Sequence, residues 1–230
     1  MATVLITGAN RGLGLAFARQ YARDGWRVLA TCRDPLRADA LNALGSAVTV
    51  HPLDVGDFSA VAALGRELAV EAIDVMIANA GVMLNSTMSP AAIDADAWMR
   101  SFQINTMAPL ACAAAFLGPV ARSNERKMIA IGSLVGSIGA ATQGGIYTYR
   151  SSKAALNSVW RSFALDHPEV IATVLSPGRM RTDMVRNETS GWDSLPPPDK
   201  TASNLRALIA RLTQADSGGF IHHNGKPLPW

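Results

Sequence analysis

The 230-residue sequence predicts an α/β fold: a single doubly wound domain with a mostly parallel sheet of six to seven strands and helices on both faces. Three observations predict it. Short apolar runs rich in β-branched residues alternate with helical patterns, 49% of the residues are hydrophobic, and no repeat, low-complexity linker or charge block divides the chain. Apolar strands separated by helices are buried on both faces and are joined by right-handed crossovers.

In chain order, a strand is expected at Thr3 to Ile6, a helix near Leu13 to Arg23, and strands at Arg27 to Thr31 and Ala47 to Val50. A helix follows near Ser59 to Val70, then a strand at Ile73 to Ala78 and a long helix near Ala97 to Phe116. The second half brings a strand at Met128 to Ile131, a helix at Tyr149 to Leu165, a strand at Val170 to Leu175 and a short edge strand around Gly219 to Ile221. Residues Arg179 to Lys200, with Trp192 and Pro196-Pro-Pro198, form the longest irregular stretch, a length typical of a lid or binding loop.

Composition narrows the function classes. A net charge of +3 and a pI near 9.1 are mildly basic, but the arginines are dispersed, so no nucleic-acid surface is expected. Met1 to Thr7 has no basic leader and runs straight into a glycine turn, which predicts a buried strand and a cytoplasmic location. Thr106 to Ala121 is apolar for 16 residues but carries Pro109 and Pro119, so a buried or interface helix is expected and no membrane partner. Cys32 and Cys112 form no metal or redox spacing, and no metal site is expected at the adjacent His222 and His223, which in a strand would point to opposite faces. The Asn-x-Thr matches at Asn85 and Asn187 are read as chance.

Two motifs carry chemistry. Thr7-Gly8-Ala-Asn10-Arg11-Gly12-Leu13-Gly14 follows the first strand and opens the first helix, the context of a dinucleotide-binding turn in a Rossmann fold. Gly8 permits the tight turn, Gly12 lets backbone approach a pyrophosphate, and Gly14 allows the helix to pack closely on the strand; the positive end of the helix then faces the phosphates. At the tip of the second strand, Thr31-Cys32-Arg33 lacks the acidic residue that would accept from a free ribose 2′-hydroxyl. Arg33, with Arg11 in the glycine turn, suits a 2′-phosphate and predicts NADP(H), with NAD(H) possible because Asp34 can pair with either arginine. The second motif is Tyr149-Arg-Ser-Ser-Lys153: on a helix, a spacing of four puts the ammonium on the same face as the phenol, where it can stabilise a phenolate.

With the glycine turn, Asn79-Ala80-Gly81 after the fourth strand and Tyr149-x-x-x-Lys153, the chain resembles the short-chain dehydrogenase/reductase family over nearly its full length. Asp54, Asn105, Ser133 and Pro177-Gly178 fall in the same order as other marks of that family, and Gly144 to Lys153 with the Pro-Leu-Pro-Trp230 ending is similar to its sniffer-type carbonyl reductase and C-factor-like branch. The resemblance implies that Asp54 and Val55 lie against the adenine, Asn79, Ala80 and Gly81 along the central cofactor, and Pro177, Gly178, Met180 and Thr182 over the nicotinamide amide. It implies hydride transfer between NADP(H) and a small apolar or aromatic ketone or aldehyde, or the matching alcohol.

In that reading Tyr149 is the general acid and Lys153 lowers its pKa while binding the nicotinamide ribose. Ser133 binds the substrate oxygen, and Asn105 holds a water that relays protons from Lys153 to solvent. The serine register departs from the family: thirteen residues commonly separate it from the tyrosine, whereas Ser133 stands sixteen before Tyr149 and Ser137 twelve. The strand-end position of Ser133 favours it, with a glycine-rich insertion near Gly139 to Gly145 absorbing the length; Tyr147 is six residues from Lys153, poor helical registry. The substrate pocket is expected between Met83, Leu84, Ser133, Tyr149, Met180, Met184 and the loop carrying Trp192. Small and apolar residues at Ala108 to Phe116 and Ala154 to Val159 suggest a homodimer, with a homotetramer next. A cofactor-binding signalling protein with little turnover, C-factor-like, is the alternative function.

Overall fold

The computed structural model describes residues 1–86, 89–188 and 191–230, with side chains described at all of these except 187 and 188. Both Asn-x-Thr matches end on residues outside this set. Seven strands form one parallel sheet: β1 (Thr3–Ile6), β2 (Arg27–Cys32), β3 (Val48–Pro52), β4 (Val75–Ala78), β5 (Lys127–Ile131), β6 (Ile171–Ser176) and β7 (Phe220–His222), in the order β3-β2-β1-β4-β5-β6-β7. Every strand pairing is parallel. The order reverses between β1 and β4, and a ligand crevice opens at the carboxyl ends of strands at such a switch point.

The helices are α1 (Gly12–Arg23), α2 (Asp39–Asn42), α3 (Phe58–Glu67), α4 (Ala95–Phe102), α5 (Ala108–Ala121), α6 (Tyr147–Asp166) and α7 (Pro198–Arg211). They divide between two cores. One face of the sheet packs Leu5, Met76 and Met128 against Val61, Phe116 and Trp160 from α3, α5 and α6. The other packs Val4, Ile77 and Ile129 against Phe17, Leu205 and Ile209 from α1 and α7. Alternate residues of the inner strands thus serve opposite cores, which is why those strands are apolar throughout, whereas the edge strand β3 packs Val48 and Val50 inward and leaves Thr49 exposed.

Three elements differ from the sequence expectation. Helix α7 was not expected, although Ala202, Leu205, Leu208 and Ile209 recur on one face and are buried on α1; its first turn is tied down by Arg19 to Asp199 (2.9 Å) and by Gln20 Nε2 to the Asp199 carbonyl (2.8 Å). The long apolar helix runs from Ala95 to Ala121 and is interrupted by a π-helical segment at Gln103–Met107. Pro109 has no N–H to give the Asn105 carbonyl, and Ala108 N–H reaches back to the Gln103 carbonyl instead. By length and composition this helix could cross a membrane, but more than half of its most apolar window is buried inside the fold. Finally, the strand ends at His222, so His222 and His223 do not sit on opposite faces: their rings tilt against each other with centroids 4.3 Å apart.

Candidate active site

The crevice at the switch point is a groove of about 1220 Å³, above the ~300–1,000 Å³ of pockets for drug-sized ligands and so roomy enough for a dinucleotide beside a second small molecule. Its floor is the glycine turn. Gly8 (φ 65°) and Gly12 (φ 55°) are left-handed, the region where a side chain is costly. A Cβ on Gly14 would stand 2.3 Å from the Gly8 carbonyl oxygen, so this position closes the turn against the helix and does not itself line the groove. Arg11 gives α1 no side-chain cap, and the first turn holds no acidic residue. The N-terminal N–H groups and the positive end of the dipole are therefore unspent toward the groove, a donor set that fits a pyrophosphate.

Thr7 and Asn79 hold the turn to β4. Thr7 Oγ1 accepts from the N–H groups of Asn79 and Ala80 (both 3.0 Å), and Asn79 Nδ2 donates to the carbonyls of Thr7 (2.9 Å) and Gly8 (3.1 Å). The Asn79 side chain thus braces two strand ends, while Ala80 and Gly81 line the groove with it.

At the end of β2 the charges sort themselves. Asp34 caps the short 3₁₀ turn Pro35–Arg37 by accepting from the Leu36 N–H at 3.1 Å, and it forms no ion pair among the described residues. Arg33 lines the groove together with Arg37, which the sequence reading missed although it stands one helical turn further on. Arg11 reaches instead across the groove mouth to Asp183 (3.1 Å). Next along, Asp54 accepts from the Gly56 N–H (2.9 Å) and pairs with Arg100 (3.2 Å), whose guanidinium also meets Gln103 (3.0 Å). Nothing in the sequence pointed to Arg100, because α4 and the β3–α3 turn meet only in three dimensions.

The other wall carries the titratable groups. Ser133 leaves β5 in extended backbone, and the 3₁₀ turn Leu134–Gly136 then packs so tightly on α6 that a Cβ on Gly136 would lie 2.8 Å from the Lys153 backbone. That docking brings Ser133 close enough to Tyr149 to pull the phenol's pKa down. Ser137 is elsewhere: its hydroxyl faces the Pro229 and Trp230 carbonyls (2.6 and 2.9 Å) and accepts from the Ala140 N–H. Tyr147 does not line the groove. Lys153 Nζ donates to the Ile131 carbonyl at 2.8 Å. Burial pushes the Tyr149 phenol up to about 12, with Ser133 pulling it the other way, and burial pushes Lys153 down to about 8. Desolvation is the largest cause of both shifts, and the expected lowering of the tyrosine by the lysine is not among them.

Asn105 sits in the π segment with its amide fully engaged: Oδ1 accepts from the Val82 N–H (2.9 Å) and Nδ2 donates to the Val82 carbonyl (2.8 Å) and Ser152 Oγ (3.0 Å). It locks the chain after Gly81. A Cβ on Gly81 would lie 3.3 Å from Asn105 Oδ1 and 3.8 Å from Lys153 Nζ, so the two side chains flank one glycine. Above them, Met83, Leu84, Met180 and Met184 line the groove as expected, and Val55, Pro177, Gly178 and Thr182 line it as well. Trp192 does not: the structure places it outside the groove, with the Arg186 guanidinium 5.4 Å from its ring centre. Gln143, Ile146 and His222 line the groove and were not anticipated, since each reaches it through a loop or strand end without periodicity.

A glycine turn at the switch point of a parallel sheet, facing a Tyr–Lys pair across one groove, defines an oxidoreductase of the dinucleotide-fold class. The chain belongs to the short-chain dehydrogenase family, whose model matches residues 2–192. It is similar to the carbonyl reductase Sniffer of D. melanogaster (TM-score 0.89, 29% identity, all of both chains covered). It is similar also to an NADPH-bound carbonyl reductase from chicken fatty liver (TM-score 0.90, 30% identity, 100% of this chain and 99% of that one). C-signal of Myxococcus xanthus is 38% identical over 161 residues, covering 69% of this chain and 93% of that protein.

Proposed function

We propose that this chain is an NADP(H)-dependent carbonyl reductase acting on small apolar or aromatic ketones and aldehydes. The observation that carries this reading is Ser133 and Tyr149 lining one groove, with Tyr149 one helical turn from Lys153 and the uncapped N-terminus of α1 in the same groove. The chicken carbonyl reductase, NADPH-bound, supports the choice of cofactor.

The N–H groups of α1 would hold the pyrophosphate, Arg33 and Arg37 a 2′-phosphate, Asp54 with Arg100 the adenine side, and Lys153 the nicotinamide ribose. Bound NADPH supplies the hydride. Ser133 and Tyr149 would each donate a hydroxyl hydrogen bond to the substrate's carbonyl oxygen; as negative charge develops there, Tyr149 would pass its proton to that oxygen. Lys153, protonated below about pH 8, would hold its proton more tightly as a phenolate forms nearby, and its positive charge would stabilise that phenolate. Asn105, beside Gly81 and Lys153, would hold the water that relays protons from Lys153 to solvent through the remaining lone pair of Oδ1, its two amide hydrogens being committed to Val82 and Ser152.

The experiment is to follow NADPH oxidation with a panel of aldehydes and ketones. Turnover lost in Tyr149→Phe supports the reading; tight NADPH binding with no oxidation of any panel member supports instead a signalling role of the kind suggested by the C-signal relative. Packing through the outer faces of α5 and α6 into a homodimer is part of the proposal, checked by light scattering, as is a cytoplasmic location consistent with the free, buried Cys32 and Cys112.

A further inference from the structure

The insertion before Tyr149 has a defined shape. Ser137 binds the Pro229 and Trp230 carbonyls, and Gly139 N–H donates to the Trp230 carbonyl (2.9 Å), which fixes the start of the loop. Arg150 fixes its end: its guanidinium donates to the carbonyls of Val135 (3.1 Å), Gln143 (3.0 Å) and Gly145 (3.5 Å). Between these anchors the backbone turns sharply through two successive left-handed residues, Gly145 (φ 81°) and Ile146 (φ 42°, ψ 42°).

Glycine adopts that conformation freely, but a β-branched residue does so only when its surroundings over-determine it. Ile146 stands at the N-cap of α6, where its carbonyl accepts from the Arg150 N–H, but its side chain adds no cap hydrogen bond, and a glycine or asparagine would serve there at less cost. What the conformation achieves is placement. Ile146 lines the groove one turn before Tyr149, in the same groove as the apolar residues Met83, Leu84 and Met184.

We propose that Ile146 is a specificity-determining wedge that admits carbonyls with one small substituent, such as aryl aldehydes and aryl methyl ketones, and excludes diaryl ketones. This rests on the carbonyl reductase reading above. The wedge cannot swing away, because both ends of its loop are tied to the fold and a left-handed residue has few neighbouring conformations. Removing its bulk therefore opens the groove without moving Tyr149 or Ser133.

The test compares kcat/KM for benzaldehyde, acetophenone and benzophenone in the wild type, Ile146→Ala and Ile146→Gly. Both variants should raise benzophenone relative to acetophenone by about tenfold or more, the usual worth of methylene-sized groups in an apolar pocket. Ile146→Gly should also melt at a higher temperature than Ile146→Ala, because both lose the same packing but only glycine is relieved of the left-handed strain. An unchanged substrate ratio in both variants overturns the wedge while leaving the carbonyl reductase reading intact. Wild-type protein that oxidises NADPH with none of the three overturns that reading and the wedge with it.

Discussion

Lys153 Nζ lies 5.9 Å from the centre of the Tyr149 ring, yet its hydrogen bond runs to the Ile131 carbonyl at the end of β5. The ammonium is thus held by the sheet and faces the phenol across a gap. In a site this buried, desolvation opposes both charged forms, so the tyrosine stays protonated and ready to donate.

Replacing Tyr149 by Phe removes that donor and little else. Turnover should fall by about 10²–10⁴-fold, the usual contribution of a positioned general acid, while NADPH affinity is retained. Steady-state kinetics with equilibrium binding on the same variant checks both halves; a variant that keeps most of its activity would remove Tyr149 from the mechanism.

The depressed Lys153 pKa makes stability depend on pH. Burial lowers it from an ordinary value near 10.5 to about 8 in the folded protein, so between these values the unfolded chain binds the extra proton and the folded state gains stability as pH rises. Below about pH 8 both states are protonated and the burial penalty is fully felt. Melting curves of the nucleotide-free protein should rise from pH 8 toward 10, and Lys153→Met should flatten that rise.

Arg33 and Arg37 line the groove beside the end of β2, whereas Asp34 is occupied as a cap. Each arginine-to-alanine change should weaken NADPH by about 1.5–3 kcal/mol, the worth of a charged hydrogen bond, and leave NADH nearly unchanged. Titrations of both nucleotides decide; equal losses for the two would show that the arginines do not read the 2′-phosphate.

Asn105→Ala should destabilise the fold by about 2–4 kcal/mol. The buried amide makes three hydrogen bonds; its loss leaves both polar groups of Val82 without their partner and removes one donor from Ser152 Oγ, which keeps its bond to the Tyr149 carbonyl. Denaturant unfolding measures this. Arg11 and Asp183 are the contrast: both are more than half exposed, so Asp183→Asn should change stability by less than about 1 kcal/mol.

Much of this was legible in the chain. The glycine turn, the strand ends and the Tyr149–Lys153 pair are local features, readable because each depends on residues a few positions apart. Helix α7 had the right periodicity but was overlooked behind the proline run at 196–198, and Trp192 looked like a pocket residue only because it lies in the loop that lines part of the groove. Arg100 and Ile146 gave no signal, since their positions follow from how loops fold over the sheet.

The order of apolar strands and helices by itself determined a parallel sheet wound on both faces, because only that arrangement buries the apolar inner strands on both sides. It also set one face of α6 with a phenol and an amine one turn apart. Only the tertiary structure decided which serine meets Tyr149, where Asp34 and Arg11 spend their charges, and that Asn105 closes a π turn over Gly81. The reason is distance along the chain: hydrophobic periodicity encodes what is near in sequence, whereas partners such as Ser133 and Tyr149, or Asn105 and Ser152, are joined by loops whose path is set by packing.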